Sequence, residues 1–119
     1  MSQNFQPGDF LVFQLEAGFA LLRLLEIESA DNDKIWHVAA YRDFFPDVET
    51  AEAASLADSG MIFSDPHIAL TTRAFESTQV ARICNILLNE AERAQLLEWK
   101  NDPARTVSDR SVRLMLGLR

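Results

Sequence analysis

Residues 9–42 read DFLVFQLEAGFALLRLLEIESADNDKIWHVAAYR, and this stretch decides the fold class. Asp9 to Leu15 alternates Phe10, Val12 and Gln14 with Leu11, Phe13 and Leu15, so both faces are apolar. Such a strand is expected to be buried on at least one face and covered in part on the other. Glu16-Ala17-Gly18 follows. A glycine ending a three-residue connection fits a type I turn closed by a left-handed residue and a bulge. Phe19 to Glu28 is the second strand, and its outer end sets Leu25 and Ile27 against Glu26 and Glu28, which predicts half exposure there. Ser29-Ala30-Asp31-Asn32-Asp33 is a polar turn. Lys34 to Arg42 is the third strand, with Ile35, His37, Ala39 and Tyr41 on one face and Trp36, Val38, Ala40 and Arg42 on the other. Three consecutive strands joined by short turns make an antiparallel meander.

Beyond this meander, Asp47 is placed as an N-cap for a helix over Val48 to Ala57, with Gly60 as its stop. Glu49 and Glu52 lie near the helix N-terminus, where the helix dipole favours them. Ser64-Asp65-Pro66 reads as a turn, and His67 to Ala74 alternates as a strand. Val80 to Leu88 fits either a helix or a strand, and the β-branched Val80, Ile83 and Ile86 favour strand. Asn89 with Glu92 has the spacing of a capping box for a helix over Glu90 to Lys100, which Asp102-Pro103 stops. Ser108 to Leu118 permits a strand by alternation, or a helix capped by Thr106 and Asp109 together, and is read as helix. The predicted architecture is α+β: a curved, half-barrel-like antiparallel sheet of about five strands with two or three helices. No repeat or linker divides residues 1–119, so one domain is expected, with residues 1–8 as an N-terminal arm and 104–119 as a basic C-terminal helix docked on it.

The composition, 48% hydrophobic and 24% charged, is that of a folded chain and not a disordered one. The net charge of −7 is unevenly spread. Residues 1–65 carry twelve acids against three bases, a net of −9, while residues 66–119 carry six against eight, a net of +2. Six acids and no base lie between Asp43 and Asp65. That balance repels phosphate backbones, so nucleic-acid binding is not expected, whereas a basic protein partner would be attracted. The two halves could also pair between copies as a homodimer. No apolar run is long enough for a membrane span. The opening Met1-Ser2-Gln3-Asn4 lacks a basic leader and an apolar core, which makes cytoplasmic residence the expectation.

Chemistry-bearing residues are sparse. Cys84, the single cysteine, sits in an apolar stretch and reads as a buried, inert thiol. Trp36, Phe44 and Phe45 read as core anchors. The richest constellation is His37, Tyr41 and Asp43, with His67 and Arg73 approaching from another strand. His37 and Tyr41, four residues apart, lie about 13 Å apart along a strand, too far for direct contact. A His–carboxylate pair there could perform acid–base work in a small-molecule-binding or hydrolytic pocket. A core or edge histidine with a backbone partner is the simpler reading. Two histidines thirty residues apart have no zinc spacing, and Asp31-Asn32-Asp33 lacks the glycine and distal glutamate of a calcium loop. No metal or cofactor is therefore expected. Nucleophile elbows, Walker loops and dinucleotide fingerprints are absent, which leans against catalysis.

Pro7-Gly8-Asp9-Phe10-Leu11-Val12-Phe13, the Gly18 hairpin and the Leu21 to Leu25 strand resemble the start of the immunity protein 26 family, small bacterial proteins that neutralise toxins of competing cells. The likeness covers the N-terminal quarter of the chain. It implies a sheet-based binding protein without a cofactor and assigns no functional residue. The expected function is a non-enzymatic interaction module of inhibitor or immunity type.

Overall fold

The structure, a computed structural model, describes residues 4–57 and 61–117. Its elements are β1 (Asp9–Leu15), β2 (Gly18–Ala30), β3 (Asp33–Phe45), α1 (Val48–Leu56), β4 (Phe63–Thr71), α2 (Thr72–Thr78), β5 (Ala81–Asn85), α3 (Glu90–Asn101) and α4 (Val112–Met115). The five strands form one open, curved antiparallel sheet in the order β4-β3-β2-β1-β5. The predicted α+β class and the meander are thus observed. The chain runs from β4 at one edge to β5 at the other by way of α2. No helix among the described residues is long and apolar enough to cross a membrane.

The sheet is packed on both faces, which is why β1 is apolar on both. One face buries Leu11, Phe13, Leu22, Leu24, Val38 and Leu70 against Ala74 and Phe75 of α2 and Val112 of α4. The other buries Phe10, Val12, Leu21, Tyr41 and Phe45 against Ala51 of α1. α3 lies on this second face, held by Glu92 to Arg23 of β2.

β2 and β3 are longer than predicted because the hairpin between them is tight. Ala30 pairs with Asp33, and Asp31 adopts φ 52°, as a two-residue turn requires. The β1–β2 connection is also shorter than read: Leu15 pairs directly with Gly18, leaving Glu16 and Ala17 as the turn. Gly18, at φ 151°, lies against the Phe45 carbonyl, where a Cβ would collide. β4 begins before the predicted strand and includes Ser64, Asp65 and Pro66, where the sequence predicts a turn. Proline is tolerated there because β4 is an edge strand with amides that need no ladder partner.

The strand predicted to continue to Ala74 gives way to helix α2 at Thr72. Thr71 caps that helix, its side chain accepting from the Ala74 amide, and Ala74, Phe75 and Thr78 form a buried stripe. Thr71 is both the last residue of β4 and the cap, while the β-branched Thr72 mimics strand alternation but opens the first turn of the helix. Val80 to Leu88 is a strand only over Ala81–Asn85. The α1 N-cap at Asp47 and the Asn89–Glu92 capping box are present as read. The helix in the last segment is a single turn capped by Ser111, not by Thr106 with Asp109. Phe45 is a core residue, but Phe44 is 55% exposed, contrary to its reading as an anchor. Cys84 is half-buried rather than buried. The expected α1 stop at Gly60, the leader residues Met1 to Gln3, and Leu118 and Arg119 of the tail lie outside the described residues.

Candidate functional site

Two of the five residues singled out from the sequence meet. His37 on β3 and His67 on β4 place Nδ1 and Nε2 2.9 Å apart, although thirty residues separate them. The other ring nitrogen of His37, Nε2, lies 2.8 Å from Glu28 Oε1 on β2. Three neighbouring strands therefore contribute one side chain each to a line Glu28–His37–His67 on the α3 face. A carboxylate accepts, so His37 donates from Nε2 and its Nδ1 accepts from the Nε2–H of His67. Trp99 of α3 covers the pair, edge-on to His37 at 4.8 Å between ring centroids and tilted over His67 at 5.5 Å.

His37 is fully buried and His67 half-buried. Burial lowers the His37 pKa from the ordinary value, against the opposing pull of Glu28. Burial, with the charge that His37 would carry, lowers His67 to about 4. Both imidazoles are thus neutral near pH 7. The backbone partner expected for His37 is replaced by two side chains. The signals that could have found them were the acidic positions Glu26 and Glu28 at the outer end of β2, read only as a half-exposed face.

Tyr41, Asp43 and Arg73 do not join this line. Tyr41 stacks between Phe10 and Phe63, and burial raises its phenol well above the ordinary value, with Glu92 adding to the effect. Asp43 is exposed beyond that core. Arg73 is not on a strand. It belongs to α2 on the opposite face of the sheet, where it pairs with Asp109. A groove of about 510 Å³ runs beside Tyr41, lined by Phe10, Phe63, Met61 and Leu87, with Arg23 and Glu92 at its base. A second, of about 820 Å³, lies over Trp36, Phe5 and Phe75 on the other face. Neither groove is lined by His37 or His67. The histidine line could relay a proton, but it lies beneath Trp99 rather than beside either groove.

Two further clusters were not read from the sequence. Arg23, a cation inside an apolar strand, is buried and fully engaged: Nε donates to Glu92, Nη1 to the Gly8 carbonyl and Nη2 to the Leu87 carbonyl. Glu26, Glu28 and His37 hold one potential metal-ligating atom each, all within 4.8 Å of one another. Lys100 of α3 sits on the first of these, Nζ to Glu26 Oε2 at 2.8 Å.

The acidic block is displayed on the surface. Asp43, Asp47, Glu49 and Glu52 are all exposed. Asp47 caps α1, whereas Asp43, Glu49 and Glu52 have no ion-pair partner among the described residues. Val48 and Leu56, four residues to either side of Glu52, are 39% and 60% exposed on the same helix face.

No family model matches the chain, nor does any curated protein or solved structure.

Proposed function

We propose that this chain is a non-enzymatic interaction module of the inhibitor or immunity type, and that it offers the outer face of α1 to a basic protein. The observation that carries this reading is the row Val48, Glu49, Glu52 and Leu56, where uncompensated carboxylates flank exposed aliphatic side chains. Apolar contacts set among charges match the make-up of protein interfaces, and the charge would steer a cationic partner onto the face. An acidic surface of this kind could occlude a basic cleft by charge complementarity.

The alternative, a small-molecule or hydrolytic pocket joining His37, Tyr41, Asp43 and His67, has less support. The Tyr41 groove is lined by neither histidine nor by Asp43. Pairing of two copies through sheet edges is also less favoured. The Ser108 segment hydrogen-bonds to Ala69 and Thr71 along the outer side of β4, and Pro66 interrupts the rest of that edge.

The test is capture by the immobilised protein, followed by titration with the purified captured protein. A basic protein whose affinity falls with ionic strength, and falls about tenfold or more in Glu49→Lys/Glu52→Lys, is the expected result. Recovery of this chain alone at every ionic strength, or binding indifferent to the charge reversal, overturns the reading.

A further inference from the structure

We propose that Glu26, Glu28 and His37 form a binding site for a divalent transition-metal cation. The site depends on a register shift. Arg23 pairs with Ala39 and Leu24 with Val38, but Glu26, not Leu25, pairs with His37. The extra residue changes the parity of β2. Without it, Glu26 and Glu28 would point with Leu24 into the α2-side core. With it, both carboxylates share the α3 face with His37.

The donor set is two carboxylate oxygens and one imidazole nitrogen, all within 4.8 Å of one another. Metal–ligand bonds of about 2.0–2.2 Å set donors about 3.4 Å apart around a tetrahedral ion, so the site closes by a small inward movement. The side chains are built for that division of labour. His37 is fully buried and fixed between Trp99 and His67. The glutamates are one-third exposed, 32% and 34%, on flexible stems open to water that can complete the coordination shell.

His67 supplies the outer partner that a metal-bound imidazole requires. With a cation on His37 Nε2, that nitrogen gives up its proton and both tautomers reverse: His37 carries its proton on Nδ1 and donates to His67 Nε2 across the existing 2.9 Å contact, while His67 holds its own proton on Nδ1. Mixed imidazole and carboxylate donors suit Zn2+, Co2+ or Mn2+ better than Mg2+, which prefers oxygen alone.

The structure already seats a cation here, the Lys100 ammonium on Glu26. It offsets one of the two negative charges and is displaced when a divalent ion enters. Lys100 is therefore a competitor, so its removal strengthens binding. A purely structural cluster has no such property.

The experiment titrates the full metal-free chain with Co2+, read by visible absorption, and with Zn2+, read by calorimetry, using Mg2+ as control and circular dichroism to verify folding. One equivalent of Co2+ and of Zn2+ binds, and Mg2+ binds far more weakly. Glu26→Gln and Glu28→Gln each weaken binding at least about tenfold. Lys100→Met tightens it about two- to fivefold. The two partly exposed glutamates and Lys100 can be replaced without opening the core, so the test does not depend on His37 variants. Absence of saturable binding at millimolar Co2+ and Zn2+ overturns the proposal. So does binding unchanged by both glutamate variants, or weakened in Lys100→Met.

Discussion

Arg23 Nε on β2 and Glu92 Oε2 in the first turn of α3 lie 2.9 Å apart, with both side chains almost wholly buried. The pair fastens α3 to the sheet. Glu92 also accepts from the Asn89 amide through Oε1, so one carboxylate closes the capping box and answers the guanidinium. The guanidinium carbon lies 4.2 Å from the centre of the Phe10 ring, which adds a cation–π contact.

Glu92→Ala strands a buried cation and removes half of a helix cap. A loss of about 3–5 kcal/mol is expected by urea denaturation. The double replacement Arg23→Met/Glu92→Leu is expected to cost less than Glu92→Ala alone, because it removes both charges from the interior. A single replacement costing under about 1 kcal/mol would show that the pair does not anchor α3.

The chain has one tyrosine, so phenolate absorbance reports Tyr41 alone. In the folded state burial raises its pKa well above 10.0, the value of an unburied phenol. The folded state therefore holds this proton more tightly. The associated stability is complete below pH 10 and is lost as pH rises above it. Phenolate is expected to appear only together with unfolding, and Tyr41→Phe is expected to flatten the fall in urea stability above pH 10. Reversible ionisation near pH 10 with the fold intact would contradict the burial.

Arg73 and Asp109 form an ion pair 81% and 49% exposed, in direct contrast to Arg23 and Glu92. Solvent screens such a pair, and Arg73→Ala is expected to change stability by less than about 1 kcal/mol. Placed on α2, away from α1 and from Glu28, Arg73 is expected to leave both partner binding and metal binding unchanged. An effect on either would return Arg73 to a functional role.

The meander, both α1 and α3 caps, and the double-sided packing of β1 were legible because each is a local pattern. Alternation, capping spacing and a Gly or Asp in a turn act over a few residues. Helix α2 was not legible. Thr71 ends β4 and doubles as the cap, and the strand preference of the β-branched Thr72 was overridden when Ala74, Phe75 and Thr78 found a core to bury against.

The site was half legible. His37 and His67 could be named from the sequence as candidates, but their contact needed β3 beside β4 in one register. Glu28 needed more, a bulge of one residue whose position no alternation pattern reveals. By itself the sequence determined the class of the fold, the strand-rich front, the acidic first half and the residues available for chemistry. Only the tertiary structure decided which of them meet. Cross-strand neighbours are set by register, and register is chosen by burial of whole faces, a property of the assembled sheet and not of any one segment.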